Sequence, residues 1–407
     1  MARTTSAQSS RTSWMVLSAL ALGSFVFEVG CGSSDDGDDA ETLSEEARDV
    51  IKGMLEDVWP LVVEPQLDAT SDAASTLSGA VEAWLSAEET GADTEAAQSA
   101  AQNAWDQTMA QWQRMEVMQL GPAASSLKAV GGSDIRDEIY SWPVTNECKV
   151  DQVTAKMSWS ESDFLDEAII NSKGLDALEV LLFSERGVNS CSTMVSINRD
   201  GIWDELGEDG SAEARAGYAV VLANRVETDI ERIRTGWTDG FADDLATAGE
   251  ATSSFETELL GVNAIFDALF YLETVTKDRK LGWPLGLTDC GQDDCTTEIE
   301  SPMAGGSSDW LAANLAGFEA LFGGSEGFGM DDLLDSIGQA DMATTVLSNA
   351  AIARESAEGM SDDIGSVSPD ELAGIHADLK GVTDLLKSDV ATLLTLQVPS
   401  EAAGDND

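Results

Sequence analysis

Apolar residues recur every three or four positions from Leu372 through Ile375, Leu379, Val382, Leu386, Val390 and Leu393. That stripe keeps helical spacing for about six turns, which a strand cannot accommodate. Ser368-Pro369-Asp370-Glu371 stands before it as a capping box with proline at the first helical position, so the start of this helix is written into the chain. Thr42-Leu43-Ser44-Glu45 reads as a second box, opening a pattern through Ile51, Leu55 and Val58. Further helical stretches fall near 74–89, 94–119, 161–184, 211–247, 252–276, 307–322 and 340–358. No run of alternating residues is long enough for a substantial sheet. The fold class is all-α, expected as antiparallel bundles.

Glycine and proline punctuate the helices at Gly121-Pro122, Trp142-Pro143, Gly201 to Gly210 and Gly282 to Cys295. The acid- and glycine-rich stretch 201–210 is the best boundary, which predicts one helical bundle over 42–205 and a second over 206–400, with an acidic tail at 401–407. The halves carry a faint repeat. Trp112-Gln113-Arg114-Met115-Glu116 before Leu120-Gly121-Pro122 has a counterpart in Leu269-Phe270-Tyr271-Leu272-Glu273 before Leu281-Gly282-Trp283-Pro284. Leu175-Asp176-Ala177-Leu178-Glu179 likewise matches Leu315-Ala316-Gly317-Phe318-Glu319. Two bundles of related construction are therefore expected.

Charge and histidine usage exclude several functions. The 407 residues hold 75 acidic against 22 basic side chains, a net charge of −53. Such a surface repels phosphate backbones, so nucleic acid is not an expected partner. His376 is the single histidine, and an HExxH zinc site needs two imidazoles. No nucleophile elbow or catalytic-cysteine signature accompanies it.

The N-terminus reads as an export signal over residues 1–30. Arg3 and Arg11 precede an apolar run from Trp14 to Val29, which ends Val29-Gly30-Cys31. Cysteine after a small residue resembles the bacterial lipoprotein cleavage site, making Cys31 the expected lipidated residue; Glu28 departs from the aliphatic residue usual there. Residues 31–41 then form an acidic tether. These features predict a cell-envelope protein held by its lipid, on the outer membrane and facing the periplasm or the surface. Cys148, Cys191, Cys290 and Cys295 remain as an even set suited to an oxidising compartment. Cys290 and Cys295 enclose only four residues, so a local bridge is natural and leaves Cys148 to Cys191.

Placing acids on their helices at 100° per residue gives the sharpest functional clue. Glu116 shares an arc with Trp105, Met109 and Trp112, and Glu179 falls between Leu175 and Phe183 with Asp176 on the same side. Glu273 and Glu319 also point inward but read as structural, since Ala316 occupies the place matching Asp176. A buried carboxylate costs several kcal/mol unless paired, hydrogen-bonded, protonated or bound to a cation. Few arginines or lysines lie on the same stretches. Glu116, Asp176 and Glu179 are thus candidate ligands of a hard cation, iron, calcium or magnesium. The alternative is that each acid accepts hydrogen bonds within the core. His376, beside the last apolar stripe, reads as an ordinary partly buried residue.

Lys173-Gly174-Leu175-Asp176-Ala177-Leu178-Glu179-Val180-Leu181-Leu182-Phe183 resembles the signature segment of the imelysin-like family, with its Gly-x-His-x-x-Glu core. Trp105 through Gly121, Ile139-Tyr140-Ser141-Trp142-Pro143 with Cys148, Ala268 through Lys280 and Glu300-Ser301-Pro302 are also similar to that family. The resemblance runs from about residue 43 to 400. It implies two helical bundles, an envelope location, and a site near the signature with Asp176 and Glu179 at the motif's histidine and acid positions and Glu116 nearby. Members are classed with a metallopeptidase family, and others are tied to iron uptake or regulation. Asp176 in place of histidine removes the motif's imidazole, which weakens a peptidase reading and leaves enzymatic activity open. A non-enzymatic iron-binding protein of uptake or storage is expected, with the lipid-bound membrane, a metal ion and envelope transport proteins as partners. The alternatives are a scaffold lipoprotein with structural acids, or a metal-dependent peptidase.

Overall fold

Proline 60 sets the first feature of the fold. In the computed structural model, which describes residues 44–161, 163–291, 295, 298–360 and 363–403, helix α1 (Glu45–Asp57) passes through a π-helical turn, Val58–Val63, into α2 (Glu64–Thr90). Proline lacks the N–H that an unbroken α-ladder needs, and widening the turn accommodates its ring. Ser44 caps α1 by accepting from the Ala47 amide at 3.0 Å, so the cap lies two residues beyond Thr42, the expected first residue of the box. The export signal, the tether and Cys31 lie outside the described residues.

Among the helices that follow are α3 (Thr94–Glu116), α4 (Ile135–Ile139), α5 (Glu147–Lys156), α6 (Gly174–Phe183), α7 (Ile202–Gly236), α8 (Glu258–Leu269), α9 (Ser307–Phe322), α10 (Met330–Ser336), α11 (Ala340–Glu358) and α12 (Pro369–Leu385). Shorter helical turns join them, and no strand occurs among the described residues. Ser368 caps α12 through the Glu371 amide, with Pro369 in its first turn, as its sequence predicts. The stretch 201–210, read from sequence as punctuation, holds a helix start after the left-handed Gly201 and a break within it. It opens α7, which is kinked at Gly207, at φ 68° and ψ −173°.

Helix α2 packs on α3 and α7, α9 on α3 and α11, and α12 on α11 and on the π-helical segment Leu272–Leu281. Helix α1 lies against α8 and α10. Elements from before and after residue 205 therefore pack directly on one another, around an apolar core that extends from Ala47 to Ala402. The α3–α9 crossing is close enough to require glycine. A Cβ on Gly317 would stand 2.3 Å from the Arg114 carbonyl oxygen. Trp105, fully buried on α3, donates its indole N–H to the Leu175 carbonyl at 2.7 Å and so fixes α6 against α3. Burying a side chain of that size stabilises by roughly 2–3 kcal/mol.

Both expected disulfides form, Cys148–Cys191 and Cys290–Cys295. The first joins α5 to the loop after α6. A buried fork, Arg215 on α7, reinforces that loop by donating to Asp151, to the Glu185 carbonyl and to the Val188 carbonyl.

Candidate acidic site around Tyr140

Gly174 begins the site. Its φ of 82° belongs to the left-handed region, and a Cβ there would meet the Ile139 carbonyl oxygen at 2.5 Å. Only glycine lets the start of α6 approach the end of α4 this closely. From Gly174 to Leu182 every residue is buried, so the acids of this helix have no route to bulk water along it.

Asp176, in the first turn of α6, accepts a hydrogen bond from Ser141 Oγ at 2.9 Å and another from Thr145 Oγ1, both at Oδ2. Oδ1 is buried with no hydrogen-bond partner among the described residues. Burial pushes the carboxyl up to about 7, against the pull of the Ser141 hydrogen bond. One turn on, Glu179 Oε1 accepts the backbone N–H groups of Met303 (2.9 Å) and Ala304 (3.0 Å). Burial again dominates, pushing it up to about 8; the two amides oppose the rise, and the charges of Asp176 and Glu300 add to it.

Glu116 ends α3 and is fully engaged. Arg136 on α4 donates Nε to Oε1 at 2.9 Å, and the Tyr271 hydroxyl donates to Oε2. A fourth acid, not singled out by helical position because it lies in a loop, joins these three. Glu300 Oε1 accepts from the Tyr140 hydroxyl at 2.8 Å and Gln113 Nε2 at 3.1 Å, and Lys280 Nζ stands 2.9 Å away. Lys280 also donates to Gln113 Oε1 at 2.6 Å and to Asn314 Oδ1 at 2.8 Å. Burial raises the Glu300 carboxyl above its usual range, with the Lys280 charge opposing.

Tyr140 is the common neighbour. Burial first, then the charges of Glu300, Glu116, Asp176 and Glu179, hold its hydroxyl well above the ordinary phenol range, so it stays a neutral donor. The charges of the three candidate ligands thus all bear on one tyrosine. They are not gathered as a metal's ligands are: among the described residues, no group of three His, Cys, Asp or Glu side chains could hold an ion. Glu116 is committed at both oxygens and Glu179 at one. Among the described residues, Asp176 Oδ1, Glu300 Oε2 and Ser301 Oγ are buried without a hydrogen-bond partner.

The cations that sequence reading did not find on these helices arrive from elsewhere. Arg136 comes from α4, and Lys280 from the π-helical segment. The counterpart acids are likewise paired, Glu273 with Lys277 at 3.6 Å and with Lys387, and Glu319 with Arg354 at 3.0 Å. Tyr140, Glu300 and Lys280 do fall in the stretches that resemble the imelysin-like family, which was the available signal for them. Gln113 falls in such a stretch as well, and Asn314 carried no signal. His376 is buried on α12, as an ordinary core residue would be.

Three comparisons bear on ancestry. The Imelysin family model, of peptidase family M75, matches residues 63–396. Among solved structures, an imelysin-like protein from Psychrobacter arcticum 273-4 superposes with a TM-score of 0.62 at 16% identity, covering 88% of this chain and 98% of its own. A protein from Parabacteroides distasonis ATCC 8503, named as an iron-regulated protein A precursor, superposes with a TM-score of 0.63 at 13% identity, covering 86% and 96%. No curated protein matches the sequence. The all-α fold is shared with both structures, and a family match that spans more than three hundred residues leaves one assignment: the chain belongs to the imelysin family.

Proposed function

We propose that this chain is a non-enzymatic protein of the bacterial cell envelope that takes up a hard cation, iron, as cargo through Asp176 and Glu179. The observation that carries the reading is Asp176 Oδ1, a buried carboxylate oxygen with no hydrogen-bond partner among the described residues, on the same face as Glu179. A buried acceptor left so costs about 1–3 kcal/mol, which a bound cation offsets. The chemistry of the donor set agrees. Carboxylates and hydroxyls without imidazole or thiolate suit hard cations, and the Ser141 and Thr145 hydroxyls already face Asp176. Glu116 is not part of this reading, because Arg136 and Tyr271 occupy both its oxygens. The name of the Parabacteroides structure adds iron to the case by association alone.

Export by residues 1–30 and lipid attachment at Cys31 complete the proposal, and envelope transport proteins are then the natural recipients of the ion. Incorporation of labelled palmitate, abolished by Cys31→Ser, is the expected outcome; unlabelled protein in the soluble periplasm would exclude the anchor.

The test is calorimetric titration of the purified protein with Mn²⁺, Ca²⁺, Mg²⁺, Zn²⁺ and anaerobic Fe²⁺, beside the isosteric variant D176N/E179Q. Saturable binding at about one ion per chain, lost in the variant, is expected. Weak, salt-sensitive binding shared by both proteins would reject it. The second reading is then favoured: a scaffold whose acids are internal struts, as the paired Glu116 and the amide-bound Glu179 suggest.

A further inference from the structure

Near the end of α7, far along the chain from the acid cluster, Arg232 faces an open cleft. Asp229, fully buried one turn earlier, divides its oxygens between Arg225 Nε at 2.7 Å and Arg232 Nη1 at 2.6 Å. The Arg232 guanidinium is thus held from one side. Its side chain is nevertheless 47% exposed, and it makes no other hydrogen bond or ion pair among the described residues. A guanidinium carries five donors, so most of this fork is left for a ligand.

Seven residues on, Asp239 is exposed, and its carboxylate has neither ion pair nor hydrogen bond among the described residues. Helix α7 runs through Gly236 into the π-helical turn Trp237–Phe241, so roughly 10 Å of helical rise separates the backbones of the two charged residues. Thr235 and Gly236 lie between them. Gly236 admits no side chain, because a Cβ there would stand 2.3 Å from Pro122 Cγ. All four residues line one cleft of about 670 Å³, a usual size for a small-molecule site. The loop before α4 gives the cleft an apolar wall through Val130, which is 41% exposed, with Pro122 and Phe241 behind it. A second carboxylate in the lining, Asp244, already accepts the Ser254 amide at 2.7 Å.

We infer that this cleft binds a free α-amino acid with an apolar side chain, its carboxylate on Arg232, its ammonium on Asp239 and its side chain against Val130. Charge complementarity selects the class. One cation and one anion, each short of partners, call for a ligand that carries both signs. Charge-assisted bonds of about 2.8 Å at each end, and two covalent bonds between the ligand's charged groups, span roughly 8 Å. Two side chains rooted roughly 10 Å apart in one cleft bracket that span. A plain carboxylate would leave Asp239 unmatched and meet its repulsion, and a plain amine would meet that of Arg232. The cleft shares no residue with the proposed cation site.

The experiment is calorimetric titration of the full chain with leucine, isocaproate, isoamylamine and glycine. Leucine is expected to bind saturably at about one molecule per chain. Isocaproate, which lacks the ammonium, and isoamylamine, which lacks the carboxylate, should each bind at least about tenfold more weakly. Glycine, which lacks the apolar side chain, should bind about fivefold more weakly or worse. Asp239→Asn, at an exposed position without partners, should weaken leucine about tenfold while leaving the thermal unfolding midpoint unchanged. Arg232→Gln should weaken it at least as much, and the Asp239 variant carries the test if loss of the Asp229 contact unfolds that protein. D176N/E179Q should bind leucine as the wild type does, so failure of the cation proposal leaves this one standing. Absence of saturable leucine binding, or wild-type affinity in Asp239→Asn, overturns the site. Isocaproate or isoamylamine binding as tightly as leucine overturns the amino-acid assignment, and glycine doing so overturns the apolar wall.

Discussion

Replacing Lys280 with methionine removes the cation bonded to Glu300 and keeps most of the side chain's volume. Both side chains are fully buried, and the ammonium is shared among Glu300, Gln113 and Asn314. Breaking one partner out of a buried pair costs about 3–5 kcal/mol. A ceiling applies, because the stranded carboxyl can take a proton instead. Holding a proton at pH 8 on a group that ionises near 4.3 when unfolded costs roughly 5 kcal/mol, and at pH 5.5 only about 1.6 kcal/mol. The sign follows from burial. Glu300 is already raised above its unfolded value, and loss of Lys280 raises it further. The unfolded chain releases this proton from about pH 4.3 upward while the folded variant keeps it, so folded stability falls as pH rises. Urea denaturation of wild type and Lys280→Met at pH 5.5 and 8 should show a deficit at least about twice as large at pH 8. The double variant K280M/E300Q should recover much of the loss and show little pH dependence. A deficit below about 1 kcal/mol at pH 8, or one equal at both pH values, would refute the claim that Lys280 holds the Glu300 charge.

Three further expectations rest on neighbouring contacts. Arg136→Met, which strands Glu116, should cost about 3 kcal/mol in the same denaturation assay, and Tyr271→Phe about 1–2 kcal/mol, because Tyr271 contributes one charge-assisted hydrogen bond. Removing the Cys148–Cys191 bridge, with a sequence separation of 43, should lower stability by about 4 kcal/mol, against about 2 kcal/mol for Cys290–Cys295, separated by 5; the order of the two double-serine midpoints checks the loop argument. Ser368→Ala should cost about 1 kcal/mol, and hydrogen exchange should show faster exchange confined to the first turn of α12.

Much of the fold was legible because helical signals are local. Ser368-Pro369 marks its helix start by capping chemistry, and the stripe from Leu372 to Val390 names its buried face by spacing alone, whereas Leu393 at the end of the pattern is exposed. The inward acids were legible for the same reason. Position on a helix at 100° per residue placed Glu116, Asp176 and Glu179 in the core, where all three are found. The punctuation at 201–210 was legible too, since Gly201 precedes the helix in the left-handed region and Gly207 breaks its first turns, where glycine alone adopts such angles freely.

The sequence by itself determined that this chain is helical, which faces of its helices are buried, and that carboxylates lie on those faces. Tertiary structure decided what each carboxylate does there. Arg136 reaches Glu116 from 20 residues away and Tyr271 from 155, and the amides of Met303 and Ala304 reach Glu179 across more than 120. Periodicity records only whether a side chain points inward. Partnership depends on where distant segments cross, and in a low-dielectric interior that partner, supplied by the fold, decides whether an acid is a strut or an open donor.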